Sequence, residues 1–122
     1  MFDHIGMGAS NLKASKAFFL EALAPLSVTV AMEAGDAVGL GRGHKPSFWL
    51  GASAEKCTPL HLAFTAQSRR QVDEFYRRAL AAGGKDNGPP GLRPHYHADY
   101  YAAFVIGPDG HNVEAVCHKP AG

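Results

Sequence analysis

The alternation of hydrophobic and polar positions in the first half of the chain predicts one strand, one helix and three further strands. Residues 2–7 form a short apolar run typical of a strand. Ser10 or Asn11 is suited to cap the helix that follows, where apolar residues recur at helical spacing. Residues 27–31 are β-rich, and glycines then separate two further short strands, the last of which ends at residues 47–50. This half therefore predicts the order β-α-β-β-β.

The second half begins again with the same pattern. Residues 60–64 predict an apolar strand, and Ser68 with Gln71 three residues later is a capping box for a helix. The strongest helical periodicity of the chain follows, at Val72, Phe75, Tyr76, Ala79 and Leu80. After a polar stretch rich in proline and glycine at 87–94, residues 101–106 and 112–117 predict two strands joined by a turn at 107–110.

The two halves resemble each other as patterns. His4 and His61 each lie in the opening strand of a half, and a helix cap follows each of them six or seven residues later. We therefore expect one α+β domain over residues 1–122, made of two β-α-β-β-β modules at about 1–52 and 58–118. The pattern alone predicts that the two histidines occupy equivalent places.

Composition and charge exclude several classes of protein. The chain has 122 residues, 46% of them hydrophobic, and a net charge of +1, so it can bury a core but has no electrostatic footprint for nucleic acid or an anionic membrane. Residues 1–5 carry no basic stretch followed by an apolar one, so we expect a cytoplasmic protein. Cys57 and Cys117 form no Cys-x-x-Cys motif, and they are interpreted either as buried thiols or as one disulfide.

Two histidines and one carboxylate are the candidate metal ligands. Glu114 lies in a strand that is otherwise apolar, where an unpaired buried carboxylate is costly. His4, His61 and Glu114 around one cation would remove that cost and leave positions open for a substrate. The alternative is that the histidines are ordinary core or surface residues and that Glu114 pairs with Lys119 or an arginine.

Three segments carry a resemblance to the vicinal-oxygen-chelate superfamily, which includes glyoxalases, extradiol dioxygenases and the bleomycin- and fosfomycin-resistance proteins. They are residues 3–5, residues 60–64 and the Pro-Asp-Gly-x-x-x-Glu element at 108–114, which is the most specific of the three. The resemblance covers essentially the whole chain.

The resemblance implies a curved, cup-shaped mixed sheet with one divalent metal ion (Zn, Fe, Mn, Ni or Co) at its base. The ligand positions of the family match His4, His61 and Glu114. Members use the metal as a Lewis acid toward two neighbouring oxygens of a small-molecule substrate. The resemblance also implies a homodimer whose modules pair either within one chain or between two chains.

Two departures from the family pattern reduce the number of enzyme classes that the resemblance implies. The strand at 47–51 offers no His, Glu or Gln as the fourth ligand that glyoxalases and related epimerases usually have. Val105 stands where extradiol dioxygenases typically have a tyrosine. The three-ligand set stays compatible with metal-dependent addition to an activated electrophile, as in the fosfomycin-modifying members.

The segment 93–101 is the other concentration of reactive side chains, at the predicted mouth of the cup. We predict catalytic roles for His97 and Tyr101, because imidazoles and phenols can exchange protons with a substrate. Roles in substrate binding are predicted for Arg93, His95, Tyr96, Tyr100 and the more distant Trp49. The alternative for this segment is an aromatic loop that packs on a partner subunit.

Two functions therefore remain open from the sequence. The first is a metal-dependent enzyme that chelates vicinal oxygens of a small substrate at the site of two histidines and one glutamate. The second is a binding protein like the bleomycin-resistance proteins, which sequesters a small molecule without catalysis.

Overall fold

A computed structural model describes residues 1–55 and 58–121, and this part of the chain contains nine strands and two α-helices. The first half consists of β1 (Ile5–Ala9), α1 (Leu12–Leu23), β2 (Thr29–Ala34), β3 (Ala37–Gly41) and β4 (Phe48–Ala52). The second half consists of β5 (His61–Thr65), α2 (Arg69–Ala81), β6 (Lys85–Asp86), β7 (Gly91–Leu92), β8 (Tyr101–Ile106) and β9 (Asn112–Cys117). The predicted α+β class is confirmed.

The strands form two separately hydrogen-bonded mixed sheets, one from each predicted module. The strand orders are β1-β4-β3-β2 and β5-β9-β8-β6, and β7 also pairs with β8. In each sheet the opening strand pairs in parallel with the last strand, and the remaining pairs are antiparallel. The two halves therefore share one topology, as their sequence patterns predicted.

The helix caps follow the sequence closely. Asn11 caps α1, because its side-chain oxygen accepts a hydrogen bond from the backbone N–H of Ala14 at 3.0 Å. Ser68 caps α2 by accepting from the N–H of Gln71 at 3.2 Å. The capping box closes differently from the standard motif, since the Gln71 side chain accepts from the N–H of Gln67 and not of Ser68.

Strand boundaries differ more from the prediction. The first strand begins at Ile5, which pairs with Phe48, whereas Phe2 lies before the sheet and is exposed. The polar stretch at 87–94, to which no strand was assigned, contains β7. Hydrophobic residues indicate that a segment can form a strand, but the partner strand determines at which residues the pairing begins and ends.

Both halves contribute to one hydrophobic core. Phe19 of α1 meets Phe48 of β4 edge to face at 5.0 Å between ring centroids, and Phe48 meets Phe64 of β5 at 5.5 Å. The chain Phe19–Phe48–Phe64 therefore crosses from the first half into the second. Aromatic pairs in this geometry stabilise a core beyond the area that they bury.

A second link between the halves is polar. The N–H of Ser10 donates to the carboxylate of Asp109 at 3.1 Å, and the Ser10 hydroxyl donates to the other oxygen of the same carboxylate. Asp109 belongs to the 3₁₀ turn Pro108–Gly110, which immediately precedes β9. The Pro-Asp-Gly element thus holds the start of α1 as well as making a turn.

Alternation along β9 separates two faces of the second sheet. Val113, Ala115 and Cys117 are fully buried in the core. Glu114 points to the opposite face, together with Ala63 of β5 and Phe104 of β8, because register partners on neighbouring strands share a face. This second face, called here the open face, carries the site described below.

The structure describes one of the two cysteines and both helices. Cys117 is buried in β9, whereas Cys57, the other member of the disulfide considered above, lies outside the described residues. Neither α1 nor α2 is long and apolar enough to span a lipid bilayer.

Candidate metal centre

Glu114 is the buried polar centre of the open face. Its side chain is 1% exposed, and both of its carboxylate oxygens have partners. Nε2 of His61 lies 2.8 Å from Oε1, and the hydroxyl of Tyr100 donates to Oε2. The alternative partner Lys119 instead donates to Gln67 at 3.1 Å. The carboxylate is therefore buried with two specific partners, which is how a buried charge is tolerated.

The distance between His61 and Glu114 can be compared with the distance between two ligands of one metal ion. Ligand atoms about 2.1 Å from one ion are about 3.0 Å apart at a right angle and about 3.4 Å apart in a tetrahedron. The distance of 2.8 Å between His61 Nε2 and Glu114 Oε1 is close to the first value. The His61 side chain is 54% exposed, so its ring reaches solvent at the edge of the sheet. The separation is thus compatible with two ligands of one ion as well as with the hydrogen bond that joins the two side chains.

His4 has a different partner. Its Nδ1 lies 2.8 Å from Asp3, and its side chain is 56% exposed. Lys45 also bonds to Asp3, and these two hydrogen bonds, that of Lys45 first, hold the pKa of the Asp3 carboxyl below its usual range. Among residues 1–55 and 58–121, no three His, Cys, Asp or Glu side chains lie close enough together to hold one metal ion. His4 and His61 do line one cleft of about 830 Å³.

Tyr100 and Tyr101 lie on opposite faces of the second sheet. Tyr100 faces Glu114, and its burial, followed by its hydrogen bond to this carboxylate, raises the pKa of its phenol. The hydroxyl of Tyr101 donates instead to Asp73 of α2 at 2.6 Å. Burial, followed by this bond, raises the pKa of Tyr101 to about 12. Tyr101, predicted to be catalytic, is therefore not brought to the carboxylate, whereas Tyr100 is.

The aromatic residues of the segment 93–101 form a ladder of ring contacts that leads away from Tyr100. Tyr96 lies 5.0 Å from Tyr100 between ring centroids, and His95 lies 4.2 Å from Tyr96. On the other side His118 lies 5.1 Å from Tyr100 and 5.9 Å from His97. Tyr100 is thus the residue of this segment that contacts Glu114, whereas His95, Tyr96 and His97 lie farther out and are exposed to solvent.

Arg93 and Phe104 complete the open face. The guanidinium carbon of Arg93 lies 5.4 Å from the centre of the Phe104 ring, and this ring lies 6.1 Å from that of His61. Phe104 is also the register partner of Glu114 on β8. No role was predicted for Phe104, although its two-residue spacing from Ala102 in β8 indicates that both lie on one face.

Trp49 lies on the first sheet and lines a separate shallow groove of about 360 Å³. Of the described residues that line this groove, none is His61, Glu114 or a member of the segment 93–101. The single chain therefore does not bring Trp49 together with the other predicted substrate-binding residues.

His111 is a buried histidine for which no role was predicted. It is 1% exposed, and its Nδ1 accepts a hydrogen bond from the N–H of Leu60 at 2.9 Å, one residue before His61. Nε2 has no hydrogen-bond partner among the described residues. Burial lowers the pKa of His111, partly opposed by the charge of Asp109. His111 thus fixes the start of the strand that carries His61.

Several solved structures are similar to this chain over nearly its whole length. The chain is similar to a glyoxalase/bleomycin resistance protein from Albidiferax ferrireducens T118, at 28% identity, a TM-score of 0.83 and coverage of 98% and 99% of the two chains. It is also similar to the oxidase ChaP-H2, at 25% identity, a TM-score of 0.71 and coverage of 100% and 95%. A family enzyme from Burkholderia phytofirmans PsJN, at 17% identity, a TM-score of 0.74 and coverage of 96% and 98%, shares the fold.

The family model agrees with the structural neighbours. None of the curated proteins compared with the chain matches it. The family model of the Glyoxalase/Bleomycin resistance protein/Dioxygenase superfamily, in contrast, matches residues 1–115. The chain therefore belongs to the Glyoxalase/Bleomycin resistance protein/Dioxygenase superfamily.

Proposed function

We propose that the chain is a divalent-metal-dependent enzyme that binds two vicinal oxygens of a small molecule at His61, Glu114 and His4. The observation that carries this proposal is the buried Glu114 carboxylate held 2.8 Å from the half-exposed His61 ring. A bound divalent ion supplies Lewis-acid stabilisation of negative charge on substrate oxygens. Zn, Fe, Mn, Ni and Co all accept this set of nitrogen and oxygen donors.

The residues around Glu114 have separate tasks in this proposal. Tyr100 holds Oε2, which leaves Oε1 directed toward His61 and the ion. Phe104 excludes water from one side of the pair. His97, with His95 and Tyr96, supplies groups that exchange protons at the solvent side, whereas Tyr101 anchors β8 to α2 through Asp73. We expect His97→Ala to lower ligand affinity or turnover and to leave metal content unchanged.

Metal titration of the purified protein tests the proposal. Glu114→Gln keeps the size of the side chain but removes the only anionic ligand, so we expect the affinity for Zn²⁺ or Co²⁺ to fall by about tenfold to a hundredfold. Glu74→Gln is the matched control, because Glu74 pairs with Arg77 on α2, outside the proposed site. Equal metal affinity of the wild type and Glu114→Gln would make Glu114 a structural carboxylate and refute the site.

A homodimer completes the site in this proposal, with His4 supplied by a second copy. Within one chain His4 bonds to Asp3 and does not join His61 and Glu114. Phe2, Ile5 and Leu60, next to the two histidines, are 74%, 37% and 43% exposed. Exposed apolar side chains grouped around candidate ligands are typical of a surface that a partner covers.

Mixed dimers test this arrangement. A dimer of one His4→Ala chain and one Glu114→Gln chain contains one intact site if His4 comes from the second copy. We expect that such dimers, purified through two different tags, bind one metal ion with the affinity of the wild type, whereas each variant alone binds metal at least about tenfold more weakly. A mixed dimer without tight metal binding would place His4 and Glu114 of one site in the same chain.

A non-catalytic binding protein is the second candidate function. It is favoured by the separation of His4 from the other two ligands in the single chain. A binding protein should hold its ligand equally well after the metal has been removed with a chelator, whereas the proposed enzyme should not. We propose the cytoplasm as the site of action in both cases, since a reducing compartment keeps the Cys117 thiol free.

A further inference from the structure

Arg93 lies at one end of the open face. It follows β7, and its backbone N–H donates to the carbonyl of Tyr100 at 2.7 Å, so it sits beside the residue that holds Glu114. Its side chain is half-buried, and the guanidinium lies over the ring of Phe104 at 5.4 Å. An arginine held over an aromatic ring loses part of its conformational freedom.

The backbone around Arg93 holds the guanidinium in place. Nη2 donates to the carbonyl of Pro89 at 2.8 Å. Two glycines lie close to the guanidinium. A Cβ on Gly88 would stand 3.3 Å from Nη2, and a Cβ on Gly91 would stand 3.0 Å from Nη1. The guanidinium therefore fills a slot between the Phe104 ring and a backbone without side chains. Such a slot orients the remaining N–H groups before any ligand binds.

Arg93 also differs from other half-buried arginines in its charge environment. Arg69 lies 3.9 Å from Asp99, and Arg78 lies 4.0 Å from Glu21. Within the described ranges no carboxylate lies within 4.0 Å of Arg93, and its hydrogen bonds go to backbone carbonyls. A half-buried positive charge without a counter-charge is a ready partner for a carboxylate or phosphate.

Phe104 connects this cation to the candidate metal centre. The ring lies between the Arg93 guanidinium and the His61 ring, at 5.4 Å and 6.1 Å. A small molecule whose vicinal oxygens reach His61 and Glu114 can therefore lie across Phe104 and present its far end to Arg93. We infer that the ligand of this site carries an oxyanion group, such as a carboxylate, that Arg93 binds with two parallel hydrogen bonds. The inference rests on the proposed function, because the second anchor of the ligand is the metal centre.

Catechol and 3,4-dihydroxybenzoate are matched probes for this inference. Both offer two vicinal oxygens, and only the second adds a carboxylate. We expect the Co²⁺-loaded wild-type protein to bind 3,4-dihydroxybenzoate at least about tenfold more tightly than catechol, as measured by calorimetry. Arg93→Gln should lose this preference and keep its affinity for catechol. Arg93→Lys, which retains the charge without the two-pronged geometry, should keep part of the preference and serves if Arg93→Gln fails to fold.

Arg77→Gln is the control for net charge, since Arg77 lies on α2 with Glu74 as its partner. A wild-type protein without preference, or an Arg93→Gln variant with the full preference, overturns the role of Arg93. Failure of catechol itself to bind the metal-loaded protein counts against chelation and not against Arg93. In that case benzoate and benzyl alcohol replace the two probes, and equal benzoate affinity of the wild type and Arg93→Gln overturns the inference.

Discussion

The two sheets place different residues at one equivalent position. Two residues after His61, Ala63 is the register partner of Glu114, and two residues after His4, Gly6 is the register partner of Trp49. Trp49 therefore occupies in the first sheet the place that Glu114 occupies in the second. Equivalent strands therefore carry a buried carboxylate in one half and an indole in the other.

The neighbours of the two residues differ accordingly. Glu114 lies between Ala63 and Phe104 on the adjoining strands, whereas Trp49 lies between Gly6 and Gly39. A Cβ on Gly39 would stand 3.0 Å from two atoms of the indole. The indole thus lies over the backbone of β3 and needs a glycine there. The difference between the two positions therefore extends to the neighbouring strand, where Trp49 lies against a glycine and Glu114 beside a phenylalanine.

The largest effect is expected at Gly39. A Cβ there would stand 2.6 Å from the Pro46 side chain as well as against the indole, so Gly39→Ala should destabilise the protein by about 3 kcal/mol. Gly51→Ala is the matched control, because no atom lies within 4 Å of its Cβ position. Chemical denaturation of both variants measures the difference, and equal stabilities would show that the indole does not need the glycine.

A smaller effect is expected in the turn before β9. Gly110 has φ +79°, in the left-handed region that a β-branched residue adopts poorly, so Gly110→Val should destabilise by about 2 kcal/mol. Gly43, in the turn before β4, has φ +64° and provides the equivalent test in the first half. Thermal melts should show similar losses for Gly43→Val and Gly110→Val. A loss in one variant only would mean that packing, and not backbone conformation, is responsible.

Tyr100→Phe should have a moderate effect on stability and metal affinity, because it removes a contact of the second sheet. The variant leaves Oε2 of the buried Glu114 without its donor, which costs about 1 kcal/mol of stability. We also expect the affinity for Co²⁺ to fall by about tenfold, because the hydroxyl holds the carboxylate toward His61. Tyr101→Phe, which affects only the bond to Asp73, should leave metal affinity unchanged. Equal metal affinities of the two variants would refute this positioning role.

The smallest effect is a pH dependence of stability caused by His111. Burial lowers its pKa in the folded state, so the unfolded state takes up a proton more readily as the pH falls through about 6.5. The free energy of unfolding should therefore decrease below that pH. His111→Asn should reduce the slope of stability against pH between pH 7 and 5, whereas His44→Asn, in an exposed turn, should not. An unchanged slope in His111→Asn would assign the effect to other groups.

Local signals in the sequence account for much of the fold. The α2 periodicity, the Ser68 cap and the Pro-Asp-Gly turn depend on residues close to each other in the chain, and the structure contains all three. Glu114 in an apolar strand was informative for the same reason, because alternation alone indicates on which face of a strand a charge lies.

The rest of the site depends on contacts that no local pattern encodes. Tyr100 and Tyr101 are adjacent, so which of them faces Glu114 depends on the pairing register of β8. A shift of one residue would exchange their faces, and the sequence does not decide between the two registers. The burial of His111 follows from its contact with Leu60, far away in the chain. Whether His4 joins His61 and Glu114 depends on how two modules meet, and periodicity within a module does not contain that information.

The hydrogen bonds between Ser10 and Asp109 have a consequence for folding. They join residues that are 99 positions apart, so they can form only when nearly the whole chain is present. Closing so long a loop is entropically slow, and folds rich in such contacts reach the native state later than folds built from local ones. During synthesis this tether on the residue before α1 can therefore form only after the 3₁₀ turn before β9 has been made. A ribosome-bound chain that lacks the last fifteen residues should expose the first helix to proteolysis.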